Sequence, residues 1–103
     1  MNFPTAINRQ GEINATISAV VRLLSPDVLY IRYHIDQDWS GDWGIFFRVV
    51  LSDDASRNRL SKVTKEVVRQ LSERLDFRAI GVFPYHNFRS QSEQTVLMEP
   101  AWA

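Results

Sequence analysis

His34 and His86 are the only histidines in the chain, and Arg32, Arg48 and Arg89 are the arginines that could serve them. Two imidazoles beside a guanidinium can cleave RNA by general acid–base chemistry. One ring accepts the 2′-hydroxyl proton, the other protonates the leaving oxygen, and the arginine holds the phosphate. Each histidine ends a stretch that reads as a strand, and no spacing in the sequence brings both rings to one substrate. A lone histidine at a strand end is more often a surface residue. A two-histidine ribonuclease is therefore an alternative, and the leading expectation is a protein with no catalytic residue.

The loop Asp36-Gln37-Asp38-Trp39-Ser40-Gly41-Asp42-Trp43 carries the other concentration of reactive groups. Asp36, Asp38, Ser40 and Gly41 are spaced like the opening of a calcium-binding EF-hand loop. That loop needs a bidentate Glu at its twelfth position, which here is Phe47. The carboxylates then read as ordinary turn chemistry, and no metal or other cofactor is expected. Trp39 and Trp43 suit a protein-binding hot spot, where Trp, Tyr and Arg dominate the energetics, or else a cap on a small core. A polar strip, Asn87 to Gln94, contributes Asn87 and Arg89 as further hydrogen-bonding candidates.

With 103 residues, 45% of them hydrophobic, the chain is long enough for one domain with a real core. Twelve Lys and Arg balance twelve Asp and Glu, so a nucleic-acid partner lacks the basic surplus that phosphate binding usually requires. The absence of cysteine removes disulfides, thiolate zinc sites and Cys nucleophiles together. No secretory leader and no apolar run approaching about 18 residues is recognisable, so the expectation is a cytoplasmic protein with no membrane partner.

The elements that must position these groups follow from periodicity. Ile13, Ile17, Val20, Val21 and Leu24 form one stripe of a helix that starts near Thr5 or after Gly11 and stops at Ser25-Pro26. From Val28 the period becomes two. Leu29, Ile31, Tyr33 and Ile35 face one side, and Tyr30, Arg32, His34 and Asp36 the other. A second strand sets Ile45, Phe47, Val49 and Leu51 inward and Phe46, Arg48 and Val50 outward. Symmetric closure pairs Ile35 with Ile45 and Arg32 with Arg48, two like charges in opposition. The register must therefore differ, or an anionic group must lie between them.

Asp53-Asp54 is the expected cap and first turn of a second helix with the stripe Leu60, Val63, Val67, Leu71 and Leu75. Its outer face, Arg57, Arg59, Lys62, Lys65, Arg69 and Arg74, reads as a solvated surface. Ala79 to Phe83 is expected to be a third strand, with Pro84 marking a sheet edge or the end of pairing, followed by an exposed loop. The tail 95–103 is expected to dock loosely, with Pro100 and Trp102 in it.

The order of these elements, with Ser40-Gly41-Asp42-Trp43-Gly44-Ile45 at the second strand, resembles the minimal nucleotidyltransferases. In that family two carboxylates open the second strand to hold magnesium. Asp42 matches the first, and Gly44 stands where the second belongs. The resemblance implies a degenerate, inactive member, similar to the antitoxin-like partners of HEPN-domain ribonucleases. The same order also resembles the type II KH-like fold, which implies RNA binding through a Gly-containing turn between helices. No Gly-x-x-Gly stands between the expected helices; the one in the chain, Gly41-Asp42-Trp43-Gly44, lies at the hairpin.

The reading is thus a single α+β domain, 1–103, of order α-β-β-α-β, with a small antiparallel or mixed sheet and two helices on one face. Its expected role is a protein-interaction module, antitoxin-like or regulatory, that contacts a partner through Arg32, His34, Trp39, Trp43, Phe46, Arg48, Asn87 and Arg89. The partner would be a neighbouring gene's product or a second copy. KH-like RNA binding and the two-histidine ribonuclease are the alternatives.

Overall fold

The computed structural model describes residues 3–103. A short 3-10 stretch, Thr5–Arg9, runs directly into helix α1 (Gln10–Leu24), so helical structure begins at the earlier of the two expected starts. Ile13, Ile17 and Val20 are buried, with Val21 and Leu24 packed half-buried against them.

Strands β1 (Val28–Gln37) and β2 (Trp43–Leu51) form the hairpin in the register drawn from periodicity, with Ile35 opposite Ile45 and Arg32 opposite Arg48. The Gly41 N–H donates to Asp38 O at 3.0 Å, and the Asp38 N–H donates to Asp42 O at 2.7 Å. Gly41 has φ +89°, the left-handed conformation that lets a type I turn close a three-residue hairpin loop. The Asp38 carboxylate stiffens the tip by accepting the Ser40 N–H, the Ser40 hydroxyl and the Asp42 N–H.

The second predicted helix is two. Ser52, not Asp53 or Asp54, is the cap, and its hydroxyl accepts the Ala55 N–H; the two aspartates fill the first turn of α2 (Asp53–Asn58). The chain breaks at Arg59 (φ −140°, ψ 25°), whose guanidinium pairs with Asp27 at 2.8 Å and Asp54 at 2.6 Å, and resumes as α3 (Leu60–Arg74). Val63, Val67 and Leu71 are buried; Leu60, at the head of the expected stripe, is exposed.

The third strand differs most. Residues 79–82 form a turn: the Asp76 carboxylate accepts the Ala79 N–H, the Gly81 N–H donates to Arg78 O, and Gly81 adopts φ +76°. Ile80 and Val82 are apolar because they plug the end of the core, not because they pair. The strand is β3 (Phe83–Ser90), which runs through Pro84 parallel to β2. Pro84 is tolerated because β3 is an edge strand. Asn87 to Gln94 is consequently no loop: it ends β3 and begins α4 (Gln91–Leu97), where Ser90 and Glu93 form a capping box.

Strand order is β1-β2-β3, antiparallel then parallel, with α2 and α3 supplying the crossover that parallel neighbours need. Helices α1 and α3 pack together, and one hydrophobic core joins them to Ile31, Ile45, Phe47 and Val49 on one face of the sheet. This is a two-layer α+β domain of order α-β-β-α-β. Among the described residues no helix is long and apolar enough to cross a membrane.

Candidate functional site

The register fixes which side chains share the sheet face that α1 and α3 leave open. Four rows cross it: Asp36–Gly44–Phe83, His34–Phe46–Tyr85, Arg32–Arg48–Asn87 and Tyr30–Val50–Arg89. In the second row the three rings stack in a column. His34 lies 4.9 Å from Phe46 with planes 13° apart, and Phe46 lies 4.8 Å from Tyr85 with planes 8° apart. The Tyr85 hydroxyl donates to Asp38 at 2.9 Å and so ties the column to the hairpin tip. That bond lowers the carboxyl of Asp38, after the larger effect of Ser40, and raises the phenol of Tyr85.

Gly44 makes the column possible. A Cβ there would meet Tyr85 Cε2 at 2.9 Å and Phe46 Cε2 at 3.0 Å. A side chain at Gly44 therefore requires these rings to move. Asp42, the first, shares the Ser40 hydroxyl with Asp38 at the tip. Among the described residues no three His, Asp or Glu side chains stand together where they could hold a metal ion.

Arg32 and Arg48 are next to each other across β1 and β2, and neither belongs to an ion pair among the described residues. Arg32 eases the opposition by turning toward the tail. Its guanidinium sits 4.6 Å over the Tyr30 ring, and its Nε–H donates to the main-chain oxygen of Ala103 at 2.8 Å. Arg48 is half-buried beside exposed Asn87. The face thus presents aromatic edges bordered by unneutralised guanidinium and an amide, a surface suited to a carboxylate or carbonyl set among apolar groups.

The other expected site residues separate. Trp39 is 94% exposed at the tip. Trp43 turns to the helix side, packs against the core and tilts 5.6 Å from Phe3. The pair is not a single hot spot. Arg89 is consumed internally: it pairs with Glu99 at 2.8 Å, donates to Gln94 at 3.1 Å and lies 4.3 Å over the Trp102 ring. The tail is firmly seated, since Trp102 is buried against the Arg89 guanidinium. Tyr85, which sequence reasoning left out, belongs to the site. Continuing the period of two beyond Pro84 would have found it.

The two histidines sit on opposite faces. His34 joins the open column, whereas His86 pairs in register with Phe47 and stacks on it at 5.4 Å on the helix side. They cannot share a substrate, which removes the acid–base pair. On the outer face of α2 and α3, Arg69 pairs with Glu66 and Glu73, and Arg59, between the two helices, with Asp27 and Asp54. A cleft of about 470 Å³ lined by Leu60, Thr64 and Phe88 offers no free charge, because Arg89 and Glu93 at its rim are engaged internally.

His86 carries a consequence for stability. Its Nε2 is buried without a hydrogen-bond partner, and burial holds the ring below its ordinary value of 6.5. The unfolded chain then takes up a proton before the folded one does. Stability is complete above about pH 6.5 and declines as the pH falls, until the folded ring itself is protonated. His34 shifts the same way, through burial and then Arg48, partly offset by Asp36. Urea midpoints at about pH 7.5 and about pH 5 should show this loss, and His86→Phe should remove part of it. An unchanged pH dependence in that variant would rule His86 out as a source.

Comparison with protein-family models, curated proteins and solved structures returned no match.

Proposed function

We propose that this domain is a non-catalytic protein-binding module whose contact surface is the open face of the sheet, centred on Phe46 and Arg48. The observation that carries this reading is the half-buried Arg48, which belongs to no ion pair among the described residues, beside the stacked rings of His34, Phe46 and Tyr85. Arginine and aromatic side chains at the centre of a patch are what protein interfaces concentrate.

A protein fits this face better than a nucleic acid. Asp36 lies on the face, Asp38 and Asp42 stand at its end, and the net charge is zero, so a phosphate backbone would meet repulsion as well as attraction. The turn between α2 and α3, where a KH-like domain needs glycine, is instead closed by Arg59 and its two aspartates. The resemblance to degenerate nucleotidyltransferases supports an antitoxin-like role, with a HEPN-type ribonuclease as the first partner to test.

Capture of the tagged chain from its host with nuclease treatment, run in parallel with Phe46→Ala/Arg48→Glu, tests the reading. We expect a stoichiometric protein bound to the wild type and weakened at least about 30-fold by the double substitution, the scale of a hot spot. Equal recovery with both proteins, or recovery of nuclease-sensitive RNA alone, would overturn it.

A further inference from the structure

Strand β1 leaves its outer edge unpaired. It is 10 residues long, lies at the margin of the sheet, and pairs only with β2. The Asp38-to-Asp42 bond at the hairpin tip sets the alternation along it. Arg32, His34 and Asp36 turn their backbone groups toward β2, and Ile31, Tyr33, Ile35 and Gln37 turn theirs outward. Of those outward groups only the Gln37 N–H is engaged among the described residues, by the Asp36 carboxylate at 2.7 Å. The opposite edge, β3, is blunted by Pro84 and runs into α4; β1 has neither proline nor lysine to discourage pairing.

The side chains of this edge are complementary to themselves. We infer that two copies of this chain join antiparallel along β1, with His34 opposite His34 of the second copy. A two-fold axis perpendicular to the sheet keeps each face on its own side, so only alternate registers are open. In the register centred on His34, Arg32 of each copy meets Asp36 of the other, twice over. Both are exposed and neither belongs to a side-chain ion pair among the described residues; within the chain Arg32 bonds the Ala103 oxygen and Asp36 the Gln37 N–H. On the helix side Tyr33 meets Ile35. A slip of two residues one way sets Arg32 against His34; the other way shortens the paired stretch.

Two further features agree with this register. The column Tyr85–Phe46–His34 ends at the β1 edge, and a second His34 continues it into the second copy's own column. The hairpin tip comes level with Leu29 of the second copy. There a groove of about 560 Å³, lined by Ile17, Val21, Val28 and Leu29, lies between α1 and the start of β1. Trp39, 94% exposed in one chain, is covered in that groove. The dimer presents the open faces of both copies as one continuous surface. It does not depend on the protein-partner reading, because it needs nothing but the chain itself.

Sedimentation equilibrium of the full chain at about 0.1 mM should give twice the chain mass. Arg32→Asp and Asp36→Arg should each weaken the dimer at least about 10-fold, and the double exchange Arg32→Asp/Asp36→Arg should restore it. The chain has no cysteine, so His34→Cys supplies a second measurement that survives misfolding of a charge variant. Non-hydrogen-bonded antiparallel partners sit about 4.5 Å apart at Cα, within disulfide range. Mild oxidation should link that variant across two chains far faster than it links exposed Ser72→Cys. A single-chain mass for the wild type, charge reversals without effect, or linking no faster than at Ser72 would overturn the proposal.

Discussion

Trp102→Ala should destabilise the fold by about 3–5 kcal/mol, the usual cost of removing a buried aromatic ring from a packed site. The indole is 7% exposed near the end of a 103-residue sequence. It stacks on the Arg89 guanidinium, which is also held by Glu99 and Gln94, and the same segment accepts the Arg32 Nε–H at Ala103. Removing the ring leaves a half-buried guanidinium without its stacking partner. For a domain of this size the thermal midpoint should fall by more than about 10 °C. A tail that merely rested on the surface would give a change within about 0.5 kcal/mol, and thermal unfolding distinguishes the two.

Gly44→Ala should destabilise by about 1–3 kcal/mol, in this case by overpacking. The new methyl would stand 2.9 Å from a Tyr85 ring carbon and 3.0 Å from one of Phe46. Neither ring can swing aside cheaply, since each stacks on its neighbour and the Tyr85 hydroxyl is held by Asp38. Near-UV circular dichroism should change together with the unfolding midpoint, because the aromatic column itself is displaced. Wild-type stability and an unchanged aromatic signal would mean that the rings do not stack over Gly44.

The hairpin was legible because β1 and β2 alternate strictly, and alternation determines both face and register. The same rule places Trp43 with Ile45 on the core side and leaves Trp39 in the turn. β3 was misread for a physical reason. Its apolar neighbours Ile80 and Val82 serve the core from a turn, while Phe83, Tyr85, Asn87 and Arg89 face outward and are mostly polar. Of the two readings of Pro84, sheet edge or end of pairing, the edge holds, and the strand runs on through it. Placing His86 on the face opposite His34 required the parallel pairing, which no local pattern announces. The stacking of Arg89 on Trp102 likewise joins residues that share no period. Most of the open face, Arg32, His34, Phe46 and Arg48, could be read in advance; Tyr85 needed the period of two carried past Pro84, and the docked tail had no local signal at all.

Hydroxyl-radical footprinting of the chain alone and in its captured complex tests the open-face contact most directly. Binding there should protect His34, Phe46 and Tyr85, while Met98, which is 77% exposed beyond the docked tail, keeps its reactivity. Protection confined to Met98 or to the cleft at Phe88, with the column unchanged, would contradict it.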